Sequence, residues 1–173
     1  MDRRLFVLRH ATSSWDHSGR SDHQRPLSGR GRDTLPRLRR ALEERAPDIG
    51  VVLCSSAVRA VATLEGVRAA LPDEVRVTID DHLYGAGGQT WFDRCQLVGD
   101  EVAGVMVIGH NPGLEALVHD LAPTGEPAAL ELLARGFPPA TLAELAVPGP
   151  WRQLELDSCH LAALQIPREL PDP

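Results

Sequence analysis

The sequence predicts an α/β protein, a three-layer α/β/α sandwich built around a mostly parallel central sheet. Short apolar runs of strand length recur along the chain, and segments with helical spacing of apolar residues lie between them. Several of the short runs do not alternate apolar with polar residues, which is typical of strands that are buried on both faces. Strands and helices that alternate in this way favour a parallel sheet covered by helices on both sides.

Six apolar runs are predicted to be strands, because each has strand length and ends in polar or turn-forming residues. They are Leu5–Leu8, Val51–Leu53, Val75–Ile79, Val102–Ile108, Thr141–Leu145 and His160–Ile166. The carboxyl ends of parallel strands lie at one edge of a sheet, and ligands bind there. Residues that follow these runs are therefore the first candidates for a functional site.

Three segments are predicted to be helices: Gly31–Arg45, Ser56–Leu71 and Leu114–Leu121. In the first, Pro36 is expected to lie in the first turn or to kink the helix. The second is expected to end before Pro72. Three clusters of glycine and proline are expected to be loops within one domain, namely Gly85–Gly88, Pro123–Pro127 and Pro148–Pro150.

The length of 173 residues is that of one domain. Apolar residues make up 43% and charged residues 24%, as is usual for globular proteins. We expect residues 1–166 to form a single domain and residues 167–173 to be a loose C-terminal tail.

The charge pattern excludes several function classes. The net charge of -6 is spread along the chain, which disfavours a nucleic-acid or anionic-membrane surface. All 18 basic residues are arginine, so a Walker A lysine and Schiff-base chemistry are excluded. Any phosphate site must therefore be local and built with arginine.

The cysteines and the N-terminus indicate a reduced, cytoplasmic protein. Cys54, Cys95 and Cys159 are far apart and form no CxxC pair, which disfavours a disulfide framework and a zinc site. The first residues lack the apolar core of a signal peptide, and no apolar run is long enough to span a membrane. We expect no metal and no other cofactor.

Four residues that can bind a phosphoryl group are predicted to meet at the strand ends. Arg9 and His10 follow the first predicted strand, and His110 follows the fourth. Arg59 lies in the first turn of the helix after the second strand, where the helix dipole favours anions. Arginine grips phosphoryl oxygens with two parallel hydrogen bonds, and a neutral imidazole can attack phosphorus without a metal. The four residues therefore offer a nucleophile for phosphorus and arginines that bind the phosphoryl oxygens.

Four sequence runs occur in the order that is typical of one known superfamily. They are Arg9-His10-Ala11-Thr12-Ser13-Ser14-Trp15, Asp22-His23-Gln24-Arg25-Pro26-Leu27-Ser28-Gly29-Arg30-Gly31, Ser55-Ser56-Ala57-Val58-Arg59-Ala60 and Gly109-His110-Asn111-Pro112-Gly113. In these runs the chain resembles the histidine phosphatase superfamily, specifically its small SixA-like phosphohistidine phosphatase branch. The resemblance covers residues 5 to about 120.

The resemblance implies a role for each matching residue. It implies that His10 is the phosphorylated nucleophile and that Arg9, Arg59 and His110 complete the catalytic pocket. It also implies that Asp22 and Arg25 bind substrate at the rim. The other histidines have no partner spacing and are expected at the surface or in the core: His17, His23, His82, His119 and His160.

Two positions depart from the family pattern. A glutamine usual after the third motif is missing from Arg59-Ala60-Val61-Ala62-Thr63, and little effect on catalysis is expected. Other members carry a glutamate or aspartate general acid where this chain reads Leu83-Tyr84-Gly85-Ala86-Gly87-Gly88. Asp80 and Asp81 lie just upstream and are the alternative acids.

Two other phosphatase classes are excluded because the sequence lacks their motifs. A cysteine phosphatase needs Cys-x5-Arg, and Cys54 to Arg59 is one residue too short. An aspartyl-phosphate hydrolase needs Asp-x-Asp after the first strand, where this chain has Arg9-His10.

The sequence leaves open which phosphorylated substrate is bound and whether it is hydrolysed. The short segment between Arg59 and Gly109 leaves no room for a long insertion over the pocket, so an open pocket for phosphohistidine on a partner protein is expected. A small phosphoester is the alternative substrate. A phosphoprotein-binding module without turnover is the non-enzymatic alternative.

Overall fold

The computed structural model describes residues 2–16, 19–45 and 48–166. His17 and the expected tail 167–173 lie outside the described residues. The strands are β1 (Arg3–Arg9), β2 (Ile49–Ser55), β3 (Arg76–Asp80), β4 (Gly104–Gly109), β5 (Thr124–Gly125), β6 (Leu142–Val147) and β7 (His160–Gln165). The helices are α1 (Gly29–Arg45), α2 (Val58–Val67), α3 (Gly88–Gln96), α4 (Gly113–Leu121) and α5 (Pro127–Ala134).

All seven strands described belong to one sheet, in the order β3-β2-β4-β1-β6-β7-β5. Strands β3, β2, β4 and β1 pair in parallel, and β6 is antiparallel to both of its neighbours. The short β5 pairs in parallel with β7. The mostly parallel sheet expected from the sequence is therefore confirmed.

The two faces of the sheet form two hydrophobic cores because successive side chains of a strand point to opposite sides. On β1, Phe6 and Leu8 pack with the buried residues of α1 and α2. Leu5 and Val7 pack on the other face, with α3, α4 and α5. This arrangement is the predicted three-layer α/β/α sandwich.

Two helices and one strand are not predicted by the sequence, the helices because glycine and proline at their starts indicate loops. Gly88 begins α3 rather than ending a loop, and Trp91 and Cys95 of that helix are fully buried. Pro127 stands at the start of α5, where its missing N–H costs nothing. The two-residue β5 is too short to leave a hydrophobic pattern. Pro36 lies well inside α1, not in its first turn.

Close backbone contacts place two helices against the loops of the site. A Cβ on Gly31 of α1 would lie 2.1 Å from the carbonyl oxygen of Thr12, and one on Gly113 of α4 would lie 1.9 Å from that of Ala86. Only glycine permits these approaches without movement of the backbone. Among the described helices, none combines the length and apolar character needed to cross a membrane.

Candidate active site

Two histidines are brought together by the pairing of β1 with β4. Arg9 pairs with Gly109 in parallel register, so His10 and His110 leave neighbouring strand ends side by side. The backbone N–H of His10 donates to the carbonyl oxygen of Gly109 at 3.0 Å. The centroids of the two imidazole rings lie 5.0 Å apart.

His10 is held as a neutral imidazole whose Nε2 is unprotonated. Its Nδ1 donates to the carbonyl oxygen of Ala11 at 2.7 Å, which places the ring proton on Nδ1. Nε2 accepts a hydrogen bond from Nε of Arg59 at 3.3 Å. Burial, followed by the charges of Arg59 and Arg9, lowers the pKa of His10 to about 4. At neutral pH, Nε2 therefore carries a lone pair that can act as a nucleophile.

Arg59 is buried in the first turn of α2, as expected from the sequence. Its Nη1 donates to the backbone carbonyl of Asp22 at 2.7 Å, and its Nη2 donates to Oδ2 of the Asp22 carboxylate at 3.1 Å. Arg9 donates from Nη1 to the carbonyl oxygen of Phe137 at 2.7 Å. Nε of Arg9 is buried and has no hydrogen-bond partner among the described residues.

Arg25 lines the pocket, whereas the exposed Asp22 does not. Arg25 is buried and donates to Ser14, Asp22 and Ser13 over 2.8–2.9 Å. Asp22 also accepts from Arg59, as described above, so one carboxylate connects the two arginines. It is not among the residues that line the pocket, which favours positioning of the arginines over direct contact with substrate.

The pocket has a volume of about 260 Å³. Its lining combines cationic, imidazole and small polar groups and is formed by Arg9, His10, Thr12, Ser13, Trp15, Arg25, Arg59, His110, Asn111 and Pro139. No carboxylate is among these residues. The exposed Trp15 stacks on Arg25, with the guanidinium carbon 3.9 Å from the ring centroid.

His110 is buried and contacts a serine that the sequence did not single out. Its Nε2 lies 2.8 Å from Oγ of Ser55. Its Nδ1 is buried without a hydrogen-bond partner among the described residues. Burial, with the neighbouring His10 and Arg59, lowers the pKa of His110 to about 3. The ring is therefore neutral near pH 7.

Tyr84 occupies the segment in which the sequence lacks a carboxylate. Its hydroxyl donates to Oδ2 of Asp22 at 2.7 Å, and its ring meets that of His110 edge to face at 5.6 Å. The hydrogen bond to Asp22 raises the pKa of Tyr84. His23, whose sequence spacing indicates no partner, contacts the Tyr84 ring and lies 2.8 Å from Oγ of Ser56. Neither contact leaves a signal in sequence spacing.

The alternative acids lie away from His10. Asp80 ends β3, and the strand order places it three strands from β1, a separation of about 14 Å at the usual strand spacing. Its carboxylate is bonded to His82 and Arg94. Asp81 is exposed in the following turn. No hydrogen bond joins either aspartate to a histidine or arginine of the pocket among the described residues.

The cysteines and potential metal ligands do not form a second reactive centre in the described parts of the chain. Cys54, Cys95 and Cys159 are buried and unpaired, and burial raises the pKa of the Cys54 thiol to about 12. No group of three or more His, Cys, Asp and Glu side chains is placed to hold a metal ion in those parts. The pocket described combines the unprotonated Nε2 of His10 with three arginines, a set of groups that suits the binding of a phosphoryl group.

The chain is similar in sequence and in fold to several known proteins. An uncharacterized protein of Mycobacterium tuberculosis is 34% identical over 163 residues, which cover 93% of this chain and all of that protein. A protein of Nakamurella multipartitia assigned as a SixA phosphohistidine phosphatase superimposes with a TM-score of 0.83 at 28% identity, covering 96% of this chain and 97% of that one. The protein histidine phosphatase SixA in complex with tungstate gives 0.78 at 25% identity, covering 97% and 99%.

The sequence profile of the histidine phosphatase superfamily (branch 1) matches residues 5–91, which is half of the chain. The matched part contains His10, Arg25 and Arg59, and His110 enters the pocket from the strand beside β1. Together with the superposition on SixA structures, this match shows that the chain belongs to the histidine phosphatase superfamily.

Proposed function

We propose that this phosphatase acts through a covalent phosphohistidine at His10, without a metal, and that its substrate is phosphohistidine on a partner protein. The observation that carries the proposal is the state of His10. Its Nε2 is unprotonated, faces an arginine and lies in a pocket with two further arginines. This combination supports nucleophilic attack on phosphorus.

In the first step, the lone pair of His10 Nε2 forms a bond to phosphorus while the bond from phosphorus to the leaving group breaks. Arg9 and Arg59 donate to the equatorial oxygens and balance their negative charge, and Arg25 adds positive charge at the rim of the pocket. In the second step, a water molecule attacks the phosphohistidine, the P–N bond breaks, and inorganic phosphate leaves. The proton lost by the water passes to phosphate, and His10 returns to its neutral form.

The pocket lining favours phosphohistidine over an alkyl phosphoester as substrate. An alkoxide leaving group needs a proton donor, and no carboxylate belongs to the described lining. The imidazole of phosphohistidine takes a proton on its own ring nitrogen before the P–N bond breaks. It therefore leaves as neutral imidazole without help from an acid on the enzyme.

The similarity to SixA structures adds independent support. The tungstate complex concerns a protein histidine phosphatase of the same fold at 25% identity. More distant neighbours include an Escherichia coli protein assigned as an α-ribazole-5′-phosphate phosphatase, at 18% identity, which is evidence for the fold alone. The pocket of this chain is small, so a protein substrate would present its phosphorylated side chain and keep its bulk outside.

The test compares kcat/KM on a phosphohistidine protein, an aryl phosphate and a panel of phosphorylated metabolites. We expect the highest value on the phosphohistidine protein and loss of all activity in His10→Ala. His119→Ala is the matched control, because His119 is an exposed histidine of α4. A metabolite with the highest value would overturn the substrate class. Binding of phosphoproteins without any His10-dependent turnover would show a binding module.

A further inference from the structure

The hydroxyl group of Ser55 joins the start of one helix to the second histidine of the pocket. Ser55 is the last residue of β2 and is fully buried. Its Oγ accepts a hydrogen bond from the backbone N–H of Ala57 at 3.3 Å. The same oxygen lies 2.8 Å from Nε2 of His110. The contact follows from topology, because β2 and β4 are neighbours and Cys54 pairs with Ile108.

The donor in the contact between Ser55 and His110 can be identified by following the hydroxyl proton. His110 Nε2 is the one acceptor that this proton has among the described residues. If Nε2 carried a proton and donated it to Oγ, the hydroxyl proton would be buried without a partner. Ser55 is fully buried and does not line the pocket, so neither solvent nor a ligand could accept that proton, and a buried donor without an acceptor is unfavourable. Ser55 is therefore the donor, and Nε2 of His110 accepts.

The ring proton of the neutral His110 then lies on Nδ1. That nitrogen is buried and has no hydrogen-bond partner in the described parts of the chain. Buried polar atoms are nearly always hydrogen-bonded, so a donor without a partner beside a ligand pocket points to a ligand atom as its acceptor. His110 lines the phosphoryl pocket, and phosphoryl oxygens accept hydrogen bonds.

We propose that Ser55 is a positioning residue that holds His110 as the neutral tautomer with its proton on Nδ1, and that this Nδ1–H donates to a phosphoryl oxygen. The proposal rests on the proposed function, because it takes the partner of Nδ1 to be a phosphoryl oxygen. The opposite tautomer would turn a lone pair toward that oxygen and repel it. Without Ser55, nothing described would oppose that tautomer.

The charge of the site is consistent with a neutral donor at this position. Burial and the nearby Arg59 lower the pKa of His110 to about 3, so the ring does not add a positive charge near pH 7. Arginines supply the charge, and His110 supplies one directed N–H. Its acceptor nitrogen is occupied by Ser55 and cannot bind the proton of a substrate or of water.

The first test is ¹⁵N NMR of the full-length protein with labelled histidine, with and without vanadate. The two-bond correlations of the ring identify the protonated nitrogen. We expect wild-type His110 to be neutral with the proton on Nδ1, and vanadate to shift the Nδ1 resonance. In Ser55→Ala we expect the form protonated on Nε2 to become visible. A wild-type ring protonated on Nε2, or an unchanged pattern in Ser55→Ala, would overturn the proposal.

The second test uses amides that imitate the two ring nitrogens. The side-chain nitrogen of Asn superimposes on Nδ1 of histidine, and that of Gln on Nε2. We expect His110→Asn to bind vanadate at least tenfold more tightly than His110→Gln, because only Asn keeps a donor at the Nδ1 position. Equal affinities, or tighter binding by the Gln variant, would contradict the assignment.

The third test measures kcat/KM in variants of Ser55 and His110. We expect Ser55→Ala to lower kcat/KM about tenfold, less than the hundredfold or more for His110→Ala, because the imidazole stays but its tautomer is no longer fixed. Ser55→Thr keeps the hydroxyl and should restore both the tautomer and most of the activity. Ser56→Ala removes the neighbouring hydroxyl, which contacts His23 instead, and is the matched control.

The outcomes separate this inference from the proposed function. A wild-type protein that binds vanadate but hydrolyses none of the phosphorylated substrates would defeat the proposed function. In that case, the tautomer of His110 in the wild type and in Ser55→Ala still decides the role of Ser55. The vanadate affinities of His110→Asn and His110→Gln still decide which nitrogen of His110 donates. An active enzyme whose His110 tautomer is independent of Ser55 would defeat the inference alone.

Discussion

Nε of Arg59 donates a hydrogen bond to Nε2 of His10 over 3.3 Å, so the arginine that we propose to bind the phosphoryl group would also keep the proposed nucleophile free of a proton. If Nε2 of His10 were protonated, its N–H would point at the N–H of Arg59, and the two donors would repel each other. Binding of a phosphoryl group would release the guanidinium from the imidazole and turn it toward the oxygens of the substrate. The same side chain would then act before and during bond formation.

The pH dependence follows from the state of His10. The lowered pKa of about 4, caused first by burial and then by Arg59 and Arg9, means that protonation removes the nucleophile only in acid. We expect His10 to titrate near pH 4 in an NMR titration, and phosphoenzyme formation to be lost as the pH falls through that value. In Arg59→Ala the midpoint should move up toward 6.5. A wild-type midpoint near 6.5 would contradict this.

A covalent phosphoenzyme should form on His10. Rapid quenching after mixing with labelled substrate is expected to leave phosphate on the chain that is labile to acid and stable to alkali, as for a phosphoramidate. His10→Ala should trap no label, and His119→Ala should trap as much as the wild type. Label retained by His10→Ala would show that another residue is the nucleophile.

The arginines are expected to contribute unequally. Removal of one group that stabilises an oxyanion lowers kcat/KM about 10²–10³-fold, and we expect this for Arg9→Ala and for Arg59→Ala. Arg25→Ala should lose less, because its nitrogens bind Ser14, Asp22 and Ser13, whereas Nε of Arg59 faces the proposed nucleophile and Nε of Arg9 has no partner among the described residues. Arg40→Ala, at an exposed site of α1, is the control. Equal losses for the three pocket variants would place Arg25 directly on the phosphoryl group.

Activity should survive metal chelators, since arginine charge takes the place of a metal ion in the proposed mechanism. Vanadate, which adopts trigonal-bipyramidal geometry, should inhibit as a mimic of the transition state. Both effects are measured in one steady-state assay, with EDTA and then with vanadate. A strict need for magnesium would argue against the whole mechanism.

The leaving group should control the rate for esters. Aryl phosphates are expected to be hydrolysed and alkyl phosphates barely, because only the former leave without a proton donor. Asp80→Asn and Asp81→Asn should keep nearly full activity on phosphohistidine, since Asp80 is tied to Arg94 and His82 at a distant strand end. A hundredfold fall in either folded variant would identify that aspartate as the acid.

The sequence predicts much of the site because its motifs sit at strand ends. Arg9, His10 and His110 flank β1 and β4, and the pairing of adjacent parallel strands is enough to bring them together. The strand and helix patterns were sufficient for the three-layer fold. What the motifs could not give is which side chains contact one another across strands. Ser55 was inside a recognised motif, yet its contact with His110 depends on the register of β2 with β4.

The remaining differences arise where local signals conflict with tertiary packing. The helix α3 follows Gly85 and Gly87 and itself begins with Gly88, so the composition there indicates a loop, whereas burial of Trp91 stabilises the helix. Tyr84 lies in the same stretch and has no motif of its own. Its contact with Asp22 spans 62 residues of sequence and follows only from the folded loops.

The reversed direction of β6 has a consequence for when the enzyme becomes competent during synthesis. Because β6 runs antiparallel to β1, its beginning, not its end, lies beside the nucleophile. The N–H of Ala140 donates to the carbonyl of His10, and the carbonyl of Thr141 accepts from the N–H of Arg9. Every proposed catalytic side chain has been synthesised once the chain reaches residue 110, but the backbone of Arg9 and His10 is hydrogen-bonded to residues that are made later. A nascent chain would thus stay inactive until its last third has folded.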